Sequence, residues 1–210
     1  MRSGSTDPAM KKARAALMIY LALIFPLSAV LPPWVSFENG PVENAQAIIL
    51  AAFGVMCVFF FKHGASAVRR MWLPSAGIFF ILTARELSWG RVFFTEGYSP
   101  ETGPIIIASS KMPYYTEIHA AVGVALLLCL YGFVRYVPWK RMLKEIPLPL
   151  PEILLLAVCV TLATLGDHGS MFGHTIRDQQ VEELSELLMY LTLGHTALYY
   201  YRRLNALYER

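Results

Sequence analysis

The sequence predicts an all-α membrane protein, a bundle of about six transmembrane helices with both termini in the cytoplasm. Two observations predict this class: six long apolar runs, and basic residues confined to alternate ends of those runs. The 56% hydrophobic composition agrees, because a soluble domain of 210 residues rarely carries six such runs. Every backbone N–H and C=O inside lipid must pair within the chain, so the spans are expected to be helices.

The six runs each approach the roughly 20 residues that a helix needs to cross about 30 Å of hydrocarbon. In chain order they are residues 16–36, 44–61, 71–92, 118–137, 149–167 and 181–201. We therefore predict one transmembrane domain over residues 16–201, between cytoplasmic tails at residues 1–15 and 202–210. The polar start MRSGSTDPAM is interpreted as part of the first tail. The longest connection, about 93–117, is rich in glycine and proline and is expected to be an ordered outer loop or a re-entrant lid.

Basic residues predict the orientation of the spans. Fourteen of the 18 lysines and arginines fall before the first run, between the second and third, between the fourth and fifth, or after the sixth. Cytoplasmic loops are enriched in these residues, so we expect a bacterial inner-membrane protein with cytoplasmic termini. Eleven of the 15 acids fall on the opposite, outer side. The net charge of +3 is thus explained by topology, and no nucleic-acid partner is expected.

Two ionisable residues interrupt the third span. Arg85 and Glu86 lie about 21 Å along a helix that starts near Met71, in the outer third of the bilayer. Ionisable groups at such depth usually face a partner or a watery cavity. Neighbours on a helix point about 100° apart, so we expect each residue to find its partner on another helix. Two alternatives remain open: an ion pair that ties helices together, or a span that ends at Ala84 and leaves both residues at the interface.

Further carboxylates flank the last two spans on the outer side. Glu183 and Glu186 are three residues apart near the start of the last span and share a helix face. Asp167 ends the fifth span. Asp178 and Glu182 are interpreted as capping groups, with Asp178 as the N-cap of the last helix. We regard Glu86, Glu183, Glu186 and Asp167 as candidate catalytic groups.

Three histidines join these acids on the outer side: His119, His168 and His174. Imidazole and carboxylate form a competent ligand set for zinc, so a divalent metal such as zinc is a candidate cofactor with these histidines as ligands. Solvated loop histidines are the alternative, because no dense motif such as HExxH is present. His195 lies deeper in the last span, where a hydrogen bond to a neighbouring helix is expected.

The outer side also offers groups that could hold a substrate. Arg85, Arg91 and Lys111 can bind phosphate, and Trp89 lies beside them in sequence. These residues suit an anionic lipid headgroup, so a lipid or lipid-linked substrate is the expected partner besides the bilayer. An oligomer is compatible with the sequence.

Three short motifs resemble a group of small bacterial inner-membrane proteins. In that group an Arg-Glu-Leu segment, a Lys-x-x-Tyr stretch and a Glu-Glu-x-x-Glu-Leu helix recur. They correspond here to Arg85-Glu86-Leu87, to Lys111 with Tyr114, and to residues 182–187. The resemblance covers residues 40–200 and implies a polytopic inner-membrane protein without implying an activity.

Together these features favour a membrane enzyme that carries out metal-assisted or general-base hydrolysis or transfer on a lipid. A small-solute or ion transporter is an alternative, although the inner halves of the spans offer few polar residues for a path. A non-catalytic scaffold or assembly subunit is the other alternative.

Overall fold

The computed structural model describes residues 7–99 and 103–208, and these residues are 79% helical. The α-helices are α1 (Pro8–Val30), α2 (Pro41–His63), α3 (Trp72–Glu86), α4 (Tyr115–Tyr136), α5 (Trp139–Glu145), α6 (Leu150–Asp167) and α7 (Ile176–Tyr208). Two strands, β1 (Thr95–Ser99) and β2 (Gly103–Ile106), pair in antiparallel orientation. The predicted tail residues 1–6 and 209–210, and Pro100 in the predicted outer loop, lie outside the described residues.

Among the described residues, four helices are long and apolar enough to cross a membrane. They are Pro8–Val30, Pro33–His63, Tyr115–Tyr136 and Leu150–Asp167. Helix α3 is not in this set because its 15 residues reach only about 22 Å. Helix α7 is long enough, but Glu186, Thr192 and His195 interrupt its apolar residues. The structure therefore agrees with an all-α membrane protein.

Several helix ends differ from the predicted spans: α1 also ends at Val30 and α7 begins at Ile176. Helix α1 begins at Pro8, inside the predicted tail, because the Asp7 carboxylate accepts a hydrogen bond from the Ala9 N–H at 2.9 Å and caps the helix. Helix α7 continues to Tyr208, so residues 202–208 are helical as well. Helix α3 ends at Glu86. This is two residues after Ala84, where one of the two alternatives for the third span placed its end.

Within the predicted outer loop, β1 and β2 form an antiparallel strand pair, here called the hairpin, which the sequence did not indicate. Gly103 begins β2 with a φ of +81°, and a Cβ at this position would lie 2.7 Å from the Phe37 ring. Phe37 is buried. Glycine is therefore needed at position 103 both for the backbone conformation and for the close packing of the hairpin on Phe37.

The helices group into two compact units. Unit 1 comprises the described residues up to Pro33 together with Pro149–Tyr200, and so contains α1, α6 and most of α7. Its apolar core consists of Leu17, Ile24, Leu155, Cys159, Val181, Leu184 and Leu188. Helices α6 and α7 approach closely at Gly166, where a Cβ would lie 2.7 Å from the Asp178 carbonyl oxygen.

Unit 2 comprises Trp34–Leu148 with the end of α7 from Tyr201 onward. Helix α3 packs between α2 and α4. Glycines permit this packing: Gly54 of α2 lies against Phe80, and Gly77 of α3 lies against the Cys129 sulfur. Small residues at helix contacts are typical of membrane proteins, because association there depends on close van der Waals packing.

Candidate functional site

A groove between α3 and α4 in unit 2 includes one of the predicted site residues in its lining. Its volume is about 440 Å³, within the range of ligand pockets. We call it the α3–α4 groove, and its lining is Phe80, Ile81, Ala84, Trp89, Ile118, Ala121, Val122 and Ala125. The four α4 residues of the lining, Ile118, Ala121, Val122 and Ala125, follow one another at intervals of three, one and three residues and so form one helix face. The groove is apolar and open to its surroundings, and the Trp89 indole is part of its lining.

Strained backbone positions that indole. Ser88, Trp89 and Gly90 follow the end of α3 with φ values of +46°, +57° and +90°. A bulky residue with positive φ is uncommon and costs on the order of 1–3 kcal/mol. Such strain often marks a functional position, because the surrounding structure has to maintain it. Here it places Trp89, one of the predicted substrate-binding residues, in the lining of the groove.

Another residue with left-handed backbone precedes α4, the helix on the other side of the groove. Tyr114 has a φ of +62° and precedes the first turn of α4. One turn later, His119 is exposed, and its ring lies 4.2 Å from the Tyr115 ring and 6.3 Å from the Trp89 ring, measured between centroids. His119 Nδ1 lies 2.8 Å from the Tyr115 carbonyl oxygen. A carbonyl oxygen can only accept, so Nδ1 is the donor in this contact.

Arg85 and Glu86 lie at the same end of α3. Arg85 Nη1 donates to Glu86 Oε1 at 3.0 Å, with the Glu86 side chain 5% exposed and the Arg85 side chain 49% exposed. The expectation that these neighbours could not pair with each other is wrong. Helix α3 ends at Glu86, and the long arginine side chain bends toward the carboxylate there. The pair places one buried acid and one half-exposed guanidinium beside the groove.

The two other predicted phosphate-binding residues are engaged with the hairpin region. Arg91 is half-buried, and its Nε donates to the Ile107 carbonyl oxygen at 2.7 Å. Lys111 is exposed and forms an ion pair with Glu96 of β1 at 2.8 Å. Both side chains therefore help to hold the hairpin, and Lys111 remains open to solvent.

The remaining predicted site residues belong to unit 1. Asp167 and His168 are both exposed at the end of α6, and Asp167 Oδ2 lies 3.8 Å from His168 Nδ1. His168 Nδ1 donates to the Thr164 carbonyl oxygen at 2.8 Å. His174 is exposed in the following loop, and Glu183 and Glu186 are half-buried on α7.

The predicted metal ligands do not meet in one cluster. Within residues 7–99 and 103–208, no group of three or more His, Cys, Asp or Glu residues could hold a metal ion. His119 belongs to unit 2, whereas His168 and His174 belong to unit 1. A zinc cofactor therefore stays a prediction from the sequence, without geometric support from these side chains.

Asp178 organises the loop between α6 and α7. Its carboxylate accepts hydrogen bonds from the backbone N–H groups of Met171, Phe172 and Thr175 at 3.2, 3.0 and 2.9 Å. Burial by itself would raise the pKa of this carboxyl, but the hydrogen bonds outweigh burial and hold the pKa below its usual value. The predicted N-cap role is wrong, because α7 begins at Ile176. Asp178 instead reaches back to the Thr175 N–H, as in a capping box.

A buried ion cluster in unit 1 was not predicted from the sequence. Arg14 of α1 donates to both carboxylate oxygens of Glu152 on α6, at 2.8 and 3.2 Å. His195 Nδ1 lies 3.2 Å from Glu152 Oε1, and His195 Nε2 lies 3.4 Å from the Met10 carbonyl oxygen. The expected bond from His195 to a neighbouring helix is thus confirmed. Arg14 and Glu152 had been assigned only to topology, although their positions within the first two turns of two apolar helices could have signalled a pair.

Comparisons with protein-family models, with curated proteins and with solved structures find no match for this chain. Function is therefore inferred from geometry. Unit 2 offers a ligand-sized apolar groove with aromatic, histidine and arginine side chains at one end, and unit 1 offers a buried ion cluster that joins three helices.

Proposed function

We propose that this is an integral membrane protein that binds a lipid or lipid-linked molecule with an anionic headgroup in the α3–α4 groove. The carrying observation is the groove itself, whose lining is apolar and includes Trp89. The His119 ring lies 6.3 Å from the Trp89 ring, and Arg85 follows the lining residue Ala84 in sequence. Ligand pockets commonly combine an apolar lining with a few polar groups that fix orientation. An acyl chain fits the lining, and a headgroup fits the polar end.

The surroundings of the groove favour lipid over a water-soluble ligand. Helix α4 is a candidate membrane span, and Val124, Leu127 and Val134 each expose more than half of their side chains. Such exposed apolar surface is unfavourable in water, so hydrocarbon is its expected environment. A groove that opens along this helix therefore opens toward acyl chains.

The polar end supplies donors that suit phosphate. Arginine presents five N–H donors, and half of the Arg85 side chain is exposed beyond its contact with Glu86. Hydrolysis or transfer on the bound lipid is the reaction we propose, with Glu86 and the Nε2 atom of His119 as the acid–base groups. Glu183, Glu186 and Asp167 belong to unit 1 and stay candidate catalytic groups predicted from the sequence alone.

Filling the groove should displace the lipid. We expect Ala121→Leu to lower occupancy by phosphatidylglycerol on the order of tenfold, because an isobutyl group would project into the lining. Native mass spectrometry of protein released from nanodiscs containing phosphatidylglycerol and phosphatidylcholine measures the occupancy. Ala120→Leu is the matched control, since Ala120 is exposed on the same helix and does not line the groove.

Arg85→Lys in the same nanodiscs separates binding of the lipid headgroup from binding of the acyl chain. It keeps the positive charge beside Glu86 but loses the planar fork that binds phosphate with two hydrogen bonds. Both phospholipids carry phosphate, so occupancy by both should fall while the apolar lining is unchanged. Release of the water-soluble headgroup tests the reaction, and Glu86→Gln should reduce it to background. Equal occupancy in the Ala121→Leu and wild-type proteins would contradict the binding site, and unchanged release in Glu86→Gln would contradict the reaction.

We also propose six spans in a bacterial inner membrane, with both termini cytoplasmic. Support comes from the distribution of the lysines and arginines and from the position of α3, which packs between the candidate spans α2 and α4. In this arrangement the Trp89 end of the α3–α4 groove faces the periplasm.

Two isosteric cysteine variants test this orientation. Ser66 and Ser110 are both exposed and lie before and after α3, whereas the native Cys57, Cys129 and Cys159 are buried. A membrane-impermeant maleimide added to intact spheroplasts should label Ser110→Cys and leave Ser66→Cys unlabelled until the membrane is opened. Labelling of Ser66→Cys in intact spheroplasts would reverse or reject the proposed topology.

A further inference from the structure

The short helix α5 joins two candidate membrane spans and has two unlike faces. It begins three residues after the end of α4 and ends five residues before the start of α6. Because α4 and α6 are both long and apolar enough to cross a bilayer, the segment between them has to stay near the membrane surface.

One face of α5 is apolar and largely uncovered. Trp139, Met142, Leu143 and Ile146 recur at intervals of three, one and three residues, which is a stripe about 100° wide on a helix. Leu143 is 61% exposed and Trp139 is 44% exposed, while Ile146 just beyond the helix is buried. The Trp139 indole N–H donates to the Phe133 carbonyl oxygen at 3.2 Å, which fixes the ring beside the end of α4.

The opposite side of α5 is held by the protein. Arg141 forms an ion pair with Glu145 at 3.5 Å, and its guanidinium carbon lies 4.9 Å from the centre of the Tyr208 ring. Both contacts lie on the side of α5 opposite the apolar stripe, and the Arg141 contact joins that side to Tyr208 within unit 2. They leave the apolar stripe facing away from Tyr208.

Two lysines flank the apolar stripe. Lys140 and Lys144 are four residues apart, so they share one edge of the helix between the stripe and Arg141. Both are exposed. An apolar stripe with a basic edge and an interfacial tryptophan is the arrangement by which amphipathic helices lie in the headgroup layer of anionic membranes.

We propose that α5 is a membrane-surface helix that inserts Trp139 and Leu143 into the headgroup boundary and binds anionic lipid through Lys140 and Lys144. The partner is the anionic surface of the leaflet itself. This site lies at the end of α4 opposite to the α3–α4 groove and does not depend on the groove binding a ligand. Its function is to attach one end of unit 2 to negatively charged lipid.

Nitroxide labels on single cysteines test the orientation of α5. In phosphatidylglycerol nanodiscs, a label at Leu143→Cys should be relaxed by oxygen and shielded from a water-soluble nickel chelate. A label at Lys140→Cys should show the reverse, because it lies on the basic edge. Access of the chelate to both labels would overturn the proposal by placing α5 in water, and shielding of both labels from both reagents would overturn it by indicating a protein contact.

Charge variants test the lipid preference. In nanodiscs that mix phosphatidylglycerol with phosphatidylcholine, Lys140→Gln with Lys144→Gln should weaken association of spin-labelled phosphatidylglycerol on the order of fivefold per lysine removed. Lys140→Arg with Lys144→Arg is the matched control and should retain the association, since it keeps both charges. Equal association in the glutamine and arginine variants would overturn the assignment to Lys140 and Lys144.

Discussion

Replacing Glu152 by alanine should lower the free energy of unfolding by about 3–5 kcal/mol, because removal of one partner leaves the others buried without compensation. Glu152 is 1% exposed and accepts both hydrogen bonds of the Arg14 guanidinium. His195 Nδ1 lies 3.2 Å from the same carboxylate. We expect the lower end of the range, since Arg14 is 30% exposed and can turn partly toward water.

Unfolding by titration with SDS in mixed micelles measures this difference. Glu145→Ala is the matched control, because Glu145 also pairs with an arginine but is 43% exposed. Exposed pairs four residues apart contribute only about 0.3–0.5 kcal/mol, so the control should change stability little. A similar small effect in both variants would mean that the Arg14–Glu152 pair does not hold α1 against α6.

A double replacement separates the cost of an orphaned charge from the value of the pair. Arg14→Met combined with Glu152→Leu removes both charges and keeps apolar volume between the helices. Buried ion pairs replaced in this way are often as stable as the original, so the double variant should recover most of the loss of Glu152→Ala. A loss equal to or larger than that of Glu152→Ala would instead assign the stabilisation to the pair itself.

Six of the described α-helices could be predicted from the sequence, and the short helix α5 could not. The ends of the helices and their mutual contacts could not be predicted either. Apolar runs report lipid-facing and core-facing residues alike, so each of the six predicted runs overlaps a helix of the structure. The end of α3 depends on left-handed backbone at Ser88 and Trp89, for which the residue types give no signal. The hairpin likewise depends on the contact of Gly103 with Phe37, which is distant in sequence.

For the candidate site, the sequence could indicate which residues are of interest but not which side chains they contact. Trp89 lines the α3–α4 groove and its ring lies 6.3 Å from the His119 ring, whereas Arg85 pairs with the neighbouring Glu86. The pairing of Arg85 with Glu86 was missed because ideal helix geometry does not hold at a helix end. Arg14 was missed because a basic residue near a span end has a sufficient explanation in topology, and only packing reveals that it meets Glu152.

Replacing Gly166 by alanine should destabilise unit 1 by about 1–3 kcal/mol, the usual cost of an added group in a packed contact. The new Cβ would lie 2.7 Å from the Asp178 carbonyl oxygen, 2.8 Å from Glu182 Cβ and 3.0 Å from Glu182 N. Two of these are backbone atoms of α7, so they can move only if the helix moves. The Asp178 side chain resists such a shift, because it holds the loop from Met171 to Thr175 by hydrogen bonds.

We expect Gly123→Ala to have the opposite effect on the stability of the same protein. Gly123 also lies inside a helix, but a Cβ there would meet nothing within 4 Å. Alanine in a helix interior is favoured over glycine by roughly 0.5–1 kcal/mol, so Gly123→Ala should stabilise the protein. The SDS titration used for Glu152 can compare the two variants directly. If both variants are more stable than the wild type, helix propensity outweighs packing at Gly166, and α6 and α7 do not require the close approach that glycine permits.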